Sequence, residues 1–190
     1  MDTAEGGWTV IQRRMDGSVD FNRQWEDYRD GFGHLSGEFW LGLEHVHQLT
    51  RQGGWKLRID FERRERRKVF WAEYVSFSVG SESTNYQLYL SGFTGTAGNS
   101  MDSKSYPWTT ARYMMFSTPD RDNDESQRKN CAREQEGGWW YNDCSLSGLN
   151  QRYPDKDVPC SSHIYMEWQT LTVRFHCLNK VSMKIKPLPR

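Results

Sequence analysis

Polar and apolar residues alternate from Trp8 to Arg14, with Trp8, Val10 and Gln12 on one side and Thr9, Ile11 and Arg13 on the other, which predicts a strand. Asp16-Gly17 then supplies turn chemistry. Phe21, Trp25 and Tyr28 recur at i, i+4 and i+7, so a helix over 21–30, capped by Asp20 and ended by Gly31 and Gly33, would bury one face. A second helix is predicted over 43–52, with Leu43, Val46 and Leu49 on one side and Gly53-Gly54 as its stop. Leu57, Ile59 and Phe61 alternate with charged neighbours, and 69–79 is a long β-prone run; the two are predicted to pair across the charged tip 63–68. Tyr86, Leu88 and Leu90 predict another strand, whereas 91–105, dominated by Gly, Ser, Thr and Asn, reads as loop. Beyond Phe116 both periods fade until 183–186 offers a last strand.

This pattern describes one α+β domain of 190 residues, with a sheet lobe over 1–112 and a loop-rich lobe over 113–190. So irregular a second lobe has little core of its own and needs staples. Four cysteines, Cys131, Cys144, Cys160 and Cys177, all fall in it; they suit two disulfides, with three pairings open. None stands in the C-x-x-C spacing of a zinc site. Basic and acidic residues balance at 25 each, so nothing in the charge asks for nucleic acid or an anionic membrane. No stretch approaches the roughly 20 apolar residues that span a bilayer, and the polar start Met1-Asp2-Thr3-Ala4-Glu5 is no secretory signal. Nine tryptophans exceed what a core of this size usually takes, and surplus indoles either fill a bulky β-rich core or line a binding surface.

Asp120-Arg121-Asp122-Asn123-Asp124 sets carboxylates at alternate positions, the spacing that lets a loop converge on a hard cation; a solvated acidic turn is the other reading. Glu125 and Cys131 stand where an EF-hand would need glycine and glutamate, which excludes that geometry. Gly137-Gly138-Trp139-Trp140-Tyr141 abuts Asn142-Asp143-Cys144, so aromatics either form a ligand surface or cover a disulfide there. No nucleophile elbow, H-E-x-x-H or phosphate loop occurs, and His45-x-His47 points two ways on a helix, so an enzyme is unsupported.

The chain resembles the fibrinogen-like C-terminal domain family, which includes fibrinogen, ficolins, tachylectins, tenascins and angiopoietin-like proteins. The resemblance rests on Gly6-Gly7-Trp8-Thr9-Val10-Ile11-Gln12-Arg13-Arg14, Asp16-Gly17-Ser18-Val19-Asp20-Phe21, Gly37-Glu38-Phe39-Trp40-Leu41-Gly42-Leu43, Phe116-Ser117-Thr118, the acidic loop and Gly137-Gly138-Trp139-Trp140-Tyr141, in the family's order. It implies a twisted antiparallel sheet with short helices, a loop-rich lobe stabilised by disulfides and calcium, and no catalysis. Asp122 and Asp124 match the family's calcium carboxylates, and carbonyls of Ser126 and Arg128 would complete the shell. Cys131 and Cys144 match the disulfide beside that site, preceded in sugar-binding members by a cis peptide, here Asp143-Cys144; Cys160 and Cys177 would be a pair private to this chain. Family domains begin further upstream, with another strand and cysteine pair, so the resemblance implies an N-terminally truncated domain.

Two functions are implied. In the first, a secreted, calcium-dependent lectin-like module of innate immunity binds acetylated or carbohydrate ligands at Asp143, Cys144, Ser145, Tyr153 and Trp168, its affinity raised by homo-oligomerisation of the full-length protein. In the second, an angiopoietin-like domain docks its looped lobe onto a cell-surface receptor protein. Ser145 stands where lectin-like members carry histidine, Gln135 replaces an aromatic, and Gln151 replaces a glycine, and these departures weigh toward the second. A matrix adhesion role for the 63–68 tip on heparin-like chains is a third expectation.

Overall fold

The computed structural model describes residues 7–64, 68–155, 160, 163–172 and 177–189. Its strands are β1 (Thr9–Arg14), β2 (Phe32–Gly33), β3 (Phe39–Trp40), β4 (Trp55–Arg63), β5 (Val69–Val79), β6 (Leu88–Gly95), β7 (Ser147–Gly148), β8 (Glu167–Trp168) and β9 (Leu178–Pro187). The helices are α1 (Trp25–Asp30), α2 (Leu43–Thr50), α3 (Cys131–Glu134) and α4 (Gln169–Thr172). A seven-stranded sheet runs β2-β3-β1-β9-β4-β5-β6 with antiparallel neighbours, and β7 and β8 form a separate ribbon.

Alternation decides which face is core. Leu57, Ile59 and Phe61 on β4 and Met183 and Ile185 on β9 are fully buried, and α2 covers β5 with Leu43 and Val46. On the other face Asp60 and Lys184 form a buried ion pair flanked by Arg58, while the Lys56 and Lys184 ammonium groups lie over the Trp8 ring. The tip residues 65–67 lie outside the described residues, so the basic patch expected there is not described.

Three expectations change. The first helix starts at Trp25, not Phe21: Asp20 accepts from Asn22 N–H (2.9 Å) in a local turn, and Asp120 Oδ1 accepts the N-terminal Trp25 N–H (3.0 Å). Leu49 falls at the edge of the α2 face and is exposed, while Thr50 takes the buried position beside Leu43 and Val46. β6 runs on through Ser91 to Gly95, where its backbone pairs with β5 although no apolar period marks it. The final strand, sequentially part of the looped half, lies between β1 and β4 in the middle of the sheet.

One buried carboxylate organises the turn after β1. Glu38 is almost fully enclosed and accepts from the N–H groups of Met15, Asp16, Gly17 and Val19 at 2.7–3.1 Å, with the buried Arg14 guanidinium 3.8 Å away. Arg14 in turn donates to the carbonyls of Leu149 (3.2 Å) and Gln151 (2.7 Å), tying the sheet to the looped lobe. Burial lowers the Arg14 pKa to about 10, and Glu38 opposes that shift, so the guanidinium stays charged.

Candidate functional site

The acidic loop is shaped by its own polar side chains. Ser117 bridges to Trp139, Asn123 Nδ2 donates to Phe116 O (2.7 Å), and Asn123 N–H donates to Ser117 Oγ (3.0 Å). Asp120 is spent elsewhere: its Oδ1 accepts both Trp25 N–H and the Thr118 hydroxyl (2.7 Å). The three carboxylates at alternate positions therefore do not converge, and two remain. Asp124 accepts Ser126 N–H (2.9 Å) on one oxygen and Cys131 N–H (2.8 Å) on the other, while Asp122 accepts Asp124 N–H (3.3 Å). Burial, reinforced by the Asp122 charge, pushes the Asp124 pKa up to about 6.

A half-buried Asp124 beside a second carboxylate suits a hard cation, which would supply the opposing charge. Among the described residues no group of three or more His, Cys, Asp or Glu gathers at one point, so the other donors to such an ion would be backbone carbonyls. Ser126 and Arg128 stand on the adjoining stretch. With Glu125, Gln127, Lys129 and Asp143 they line a recess of about 680 Å³.

Behind this loop, Cys131 and Cys144 form a disulfide with a Cα–Cα distance of 5.7 Å, and Cys160 and Cys177 form a second at 5.4 Å. The Asp143-Cys144 peptide is cis. Glu125 N–H donates to Asn142 O (3.3 Å), and Asp143 N–H donates to Trp108 O (3.2 Å), so loop, disulfide and cis peptide form one unit.

The five residues expected to touch an acetylated ligand do not all meet. Of the consecutive three, Asp143 is exposed and lines the recess, Cys144 is buried in its disulfide, and Ser145 is half-buried, its Oγ accepting Ser147 N–H (3.2 Å). Trp168 pairs with Ser147 across the β7–β8 ribbon, but its indole is fully buried against Phe61 and donates to Gly98 O (3.0 Å). Tyr153 lies in another cleft, beside Met15 and Asn179, where its hydroxyl donates to Asn179 O (2.8 Å). Trp139, Trp140 and Tyr141 are fully buried too: Trp140 meets Phe116 and Trp40, and Tyr141 donates to Gly137 O (2.8 Å). They belong to the one hydrophobic core that also holds the sheet residues, and they cannot stack on a ligand.

His163, which the pattern of the sequence did not single out, is largely exposed and 2.7 Å from Glu167. The Glu167 carboxylate raises its pKa, and the nearby Lys129 charge opposes that. Only its i, i+4 spacing from Glu167 could have marked it.

A seven-stranded antiparallel sheet with an acidic loop packed beside a disulfide is the architecture of a fibrinogen-type globe. This protein belongs to the fibrinogen C-terminal family: residues 1–188 match the model of the C-terminal globular domain of the fibrinogen beta and gamma chains. It is 42% identical over 192 residues to fibrinogen-like protein 1 of Bos taurus, covering 96% of this chain and 60% of that protein. The chain thus spans less than two thirds of that relative. Among solved structures it resembles the fibrinogen-like globe domain of human ANGPTL2 (42% identity, TM-score 0.87, covering 98% of this chain and 83% of that one). It also resembles lamprey fibrin D-dimer complexed with the peptide Gly-His-Arg-Pro-amide (38% identity, TM-score 0.85, 97% and 62%). No helix among the described residues is long and apolar enough to cross a membrane.

Proposed function

We propose that this domain is an extracellular recognition module that docks a protein or peptide partner through its looped lobe, and that it binds and does not catalyse. The observation that carries this reading is the recess lined by residues 125–129 and Asp143, which offers charges of both signs, while Trp168 and Tyr153 are withdrawn from Cys144. A relative solved with a peptide ligand supports it. Two disulfides in so short a segment suit a secreted protein. A calcium ion held by Asp122 and Asp124, with the carbonyls of Ser126 and Arg128, would order the loop for docking. Homo-oligomerisation of the full-length protein would raise a weak single-site affinity.

A tetramerised domain should bind a subset of cell lines, and Arg128→Glu with Lys129→Glu should remove that binding with an unchanged melting temperature. Binding that survives the double substitution would sink the docking surface. The acetyl-reading alternative keeps one support, the grouping of Asp143, Cys144 and Ser145 at a cis peptide. Retention on an N-acetylglucosamine resin and release by acetate would establish it instead.

A further inference from the structure

Asp122 is the exposed member of the two carboxylates left in the acidic loop, and its contact with Asp124 N–H is a long one at 3.3 Å. A side chain so lightly held is placed mainly by the residues on either side of it. Asn123 is tied to Phe116 O and Ser117 Oγ within the same stretch of chain. Arg121 is tied to the sheet lobe.

The Arg121 backbone closes a tight turn with Thr118, its N–H donating to Thr118 O (3.1 Å) and its carbonyl accepting Thr118 N–H (2.9 Å). Its side chain reaches the turn between β5 and β6. There the guanidinium donates to Asn85 Oδ1 (2.6 Å), lies 3.7 Å from Glu82 and covers the Trp25 ring at 3.9 Å. Glu82 also accepts the Trp25 indole N–H (3.1 Å), so ring, carboxylate and guanidinium form a closed set. The receiving turn is strained: Asn85 and the fully buried Tyr86 both have φ of 50°, a left-handed conformation that a bulky residue rarely adopts. The looped lobe holds it there, with Asn85 O accepting Phe116 N–H (2.9 Å) and Tyr86 O accepting the Trp140 indole N–H (2.8 Å).

We propose that Arg121 is a positioning residue for the cation loop. Anchored on Asn85, Glu82 and Trp25, it holds Asp122 where that carboxylate can share a divalent cation with Asp124, and it links occupancy of the loop to the β5–β6 turn. This rests on the calcium reading above. Charge and anchoring act in opposite directions here, which makes the role measurable. A positive charge next to Asp122 opposes a bound cation, so an arginine acting by charge alone would, when removed, tighten calcium binding. An arginine acting as an anchor would, when removed, loosen it, because groups that orient a metal's ligands typically contribute about tenfold to a hundredfold in affinity.

Calorimetric titration of the whole chain with calcium chloride reads the sign, and melting curves in EDTA check that each variant is folded. Arg121→Ala should weaken calcium binding about tenfold or more. Asn85→Gly keeps the positive φ and the arginine charge but removes the acceptor, and it should weaken binding in the same direction. In NMR spectra of the indole N–H groups, with Trp25 assigned through Trp25→Phe, calcium should move the Trp25 resonance in the unaltered protein and leave it in place in Arg121→Ala. Calcium bound as tightly or more tightly by Arg121→Ala, or with unchanged affinity by Asn85→Gly, would overturn this inference alone. An unaltered protein that takes up no calcium would overturn the calcium reading and this inference together.

Discussion

The two halves of the molecule solve the same problem with different means. In the sheet, backbone groups pair with one another along β4, β5 and β9, and apolar side chains at alternate positions close the core. From Phe116 to Gln151 the regular elements are a four-residue helix and half of a two-stranded ribbon, so little of that backbone is paired by secondary structure. Buried polar side chains take over. Asn150 Nδ2 donates to Gly138 O (3.0 Å), Gln12 Nε2 donates to Leu149 O (2.9 Å), and Arg14 donates to that same carbonyl and to Gln151 O. An irregular segment can be as dry inside as a sheet, but its backbone groups are met by particular side chains.

The largest effect is expected where the two systems meet. Glu38→Ala removes the acceptor of four turn N–H groups and leaves Arg14 charged and buried, which should cost about 3–5 kcal/mol in denaturant unfolding. A loss below about 1 kcal/mol would mean the lobes are not joined through that pair.

Next comes the disulfide beside the acidic loop. Cys131→Ala with Cys144→Ala should cost about 2–4 kcal/mol. Hydrogen exchange should rise through 117–131 while amides of β4 and β5 stay protected. A uniform rise would erase the distinction between the halves.

Removing calcium with EDTA should lower the melting temperature by a few degrees, and Asp122→Ala should abolish the sensitivity; an indifferent melt would leave the loop to its own hydrogen bonds. Asp120→Ala should cost about 1 kcal/mol by freeing Trp25 N–H at the start of α1, and it should leave any calcium response intact. If that response disappeared, Asp120 would belong to the ion and not to the helix.

The smallest effect is a titration. His163 should titrate above its ordinary value of 6.5, since Glu167 favours the imidazolium, and Glu167→Gln should bring it down. A folded-state pKa above the unfolded one contributes stability below pH 6.5 that is lost as pH rises through the folded value. NMR of the ring protons measures it, and a value at or below 6.5 would show that the pair does not form.

How much of this was legible in the sequence depended on whether the deciding partner was near along it. Strands β1 and β4 could be read because a pleated strand buries every second residue, a rule that needs no distant information; β5 was read from its β-prone composition, and of β9 only 183–186 was marked, although the strand begins at Leu178. The family could be read because its motifs stand in order. The Cys131–Cys144 pair and the cis peptide at Cys144 followed from that resemblance, not from spacing.

Other features were settled by residues far away. Asp120, Asp122 and Asp124 look equivalent along the chain, yet Asp120 is claimed by the start of α1, 95 residues earlier. Tyr153 is drawn to Met15, 138 residues away, and so leaves the neighbourhood of Cys144. The tryptophans gave no sign of which would be core and which surface. Trp139, Trp140 and Trp168 find partners for both their rings and their N–H groups and vanish inside, while Trp108 sits on a clamped turn and remains exposed. Local periodicity sets which face of an element is apolar, but what covers that face, and which polar side chain is left to meet a ligand, is decided only when distant segments compete for the same hydrogen bonds and the same volume.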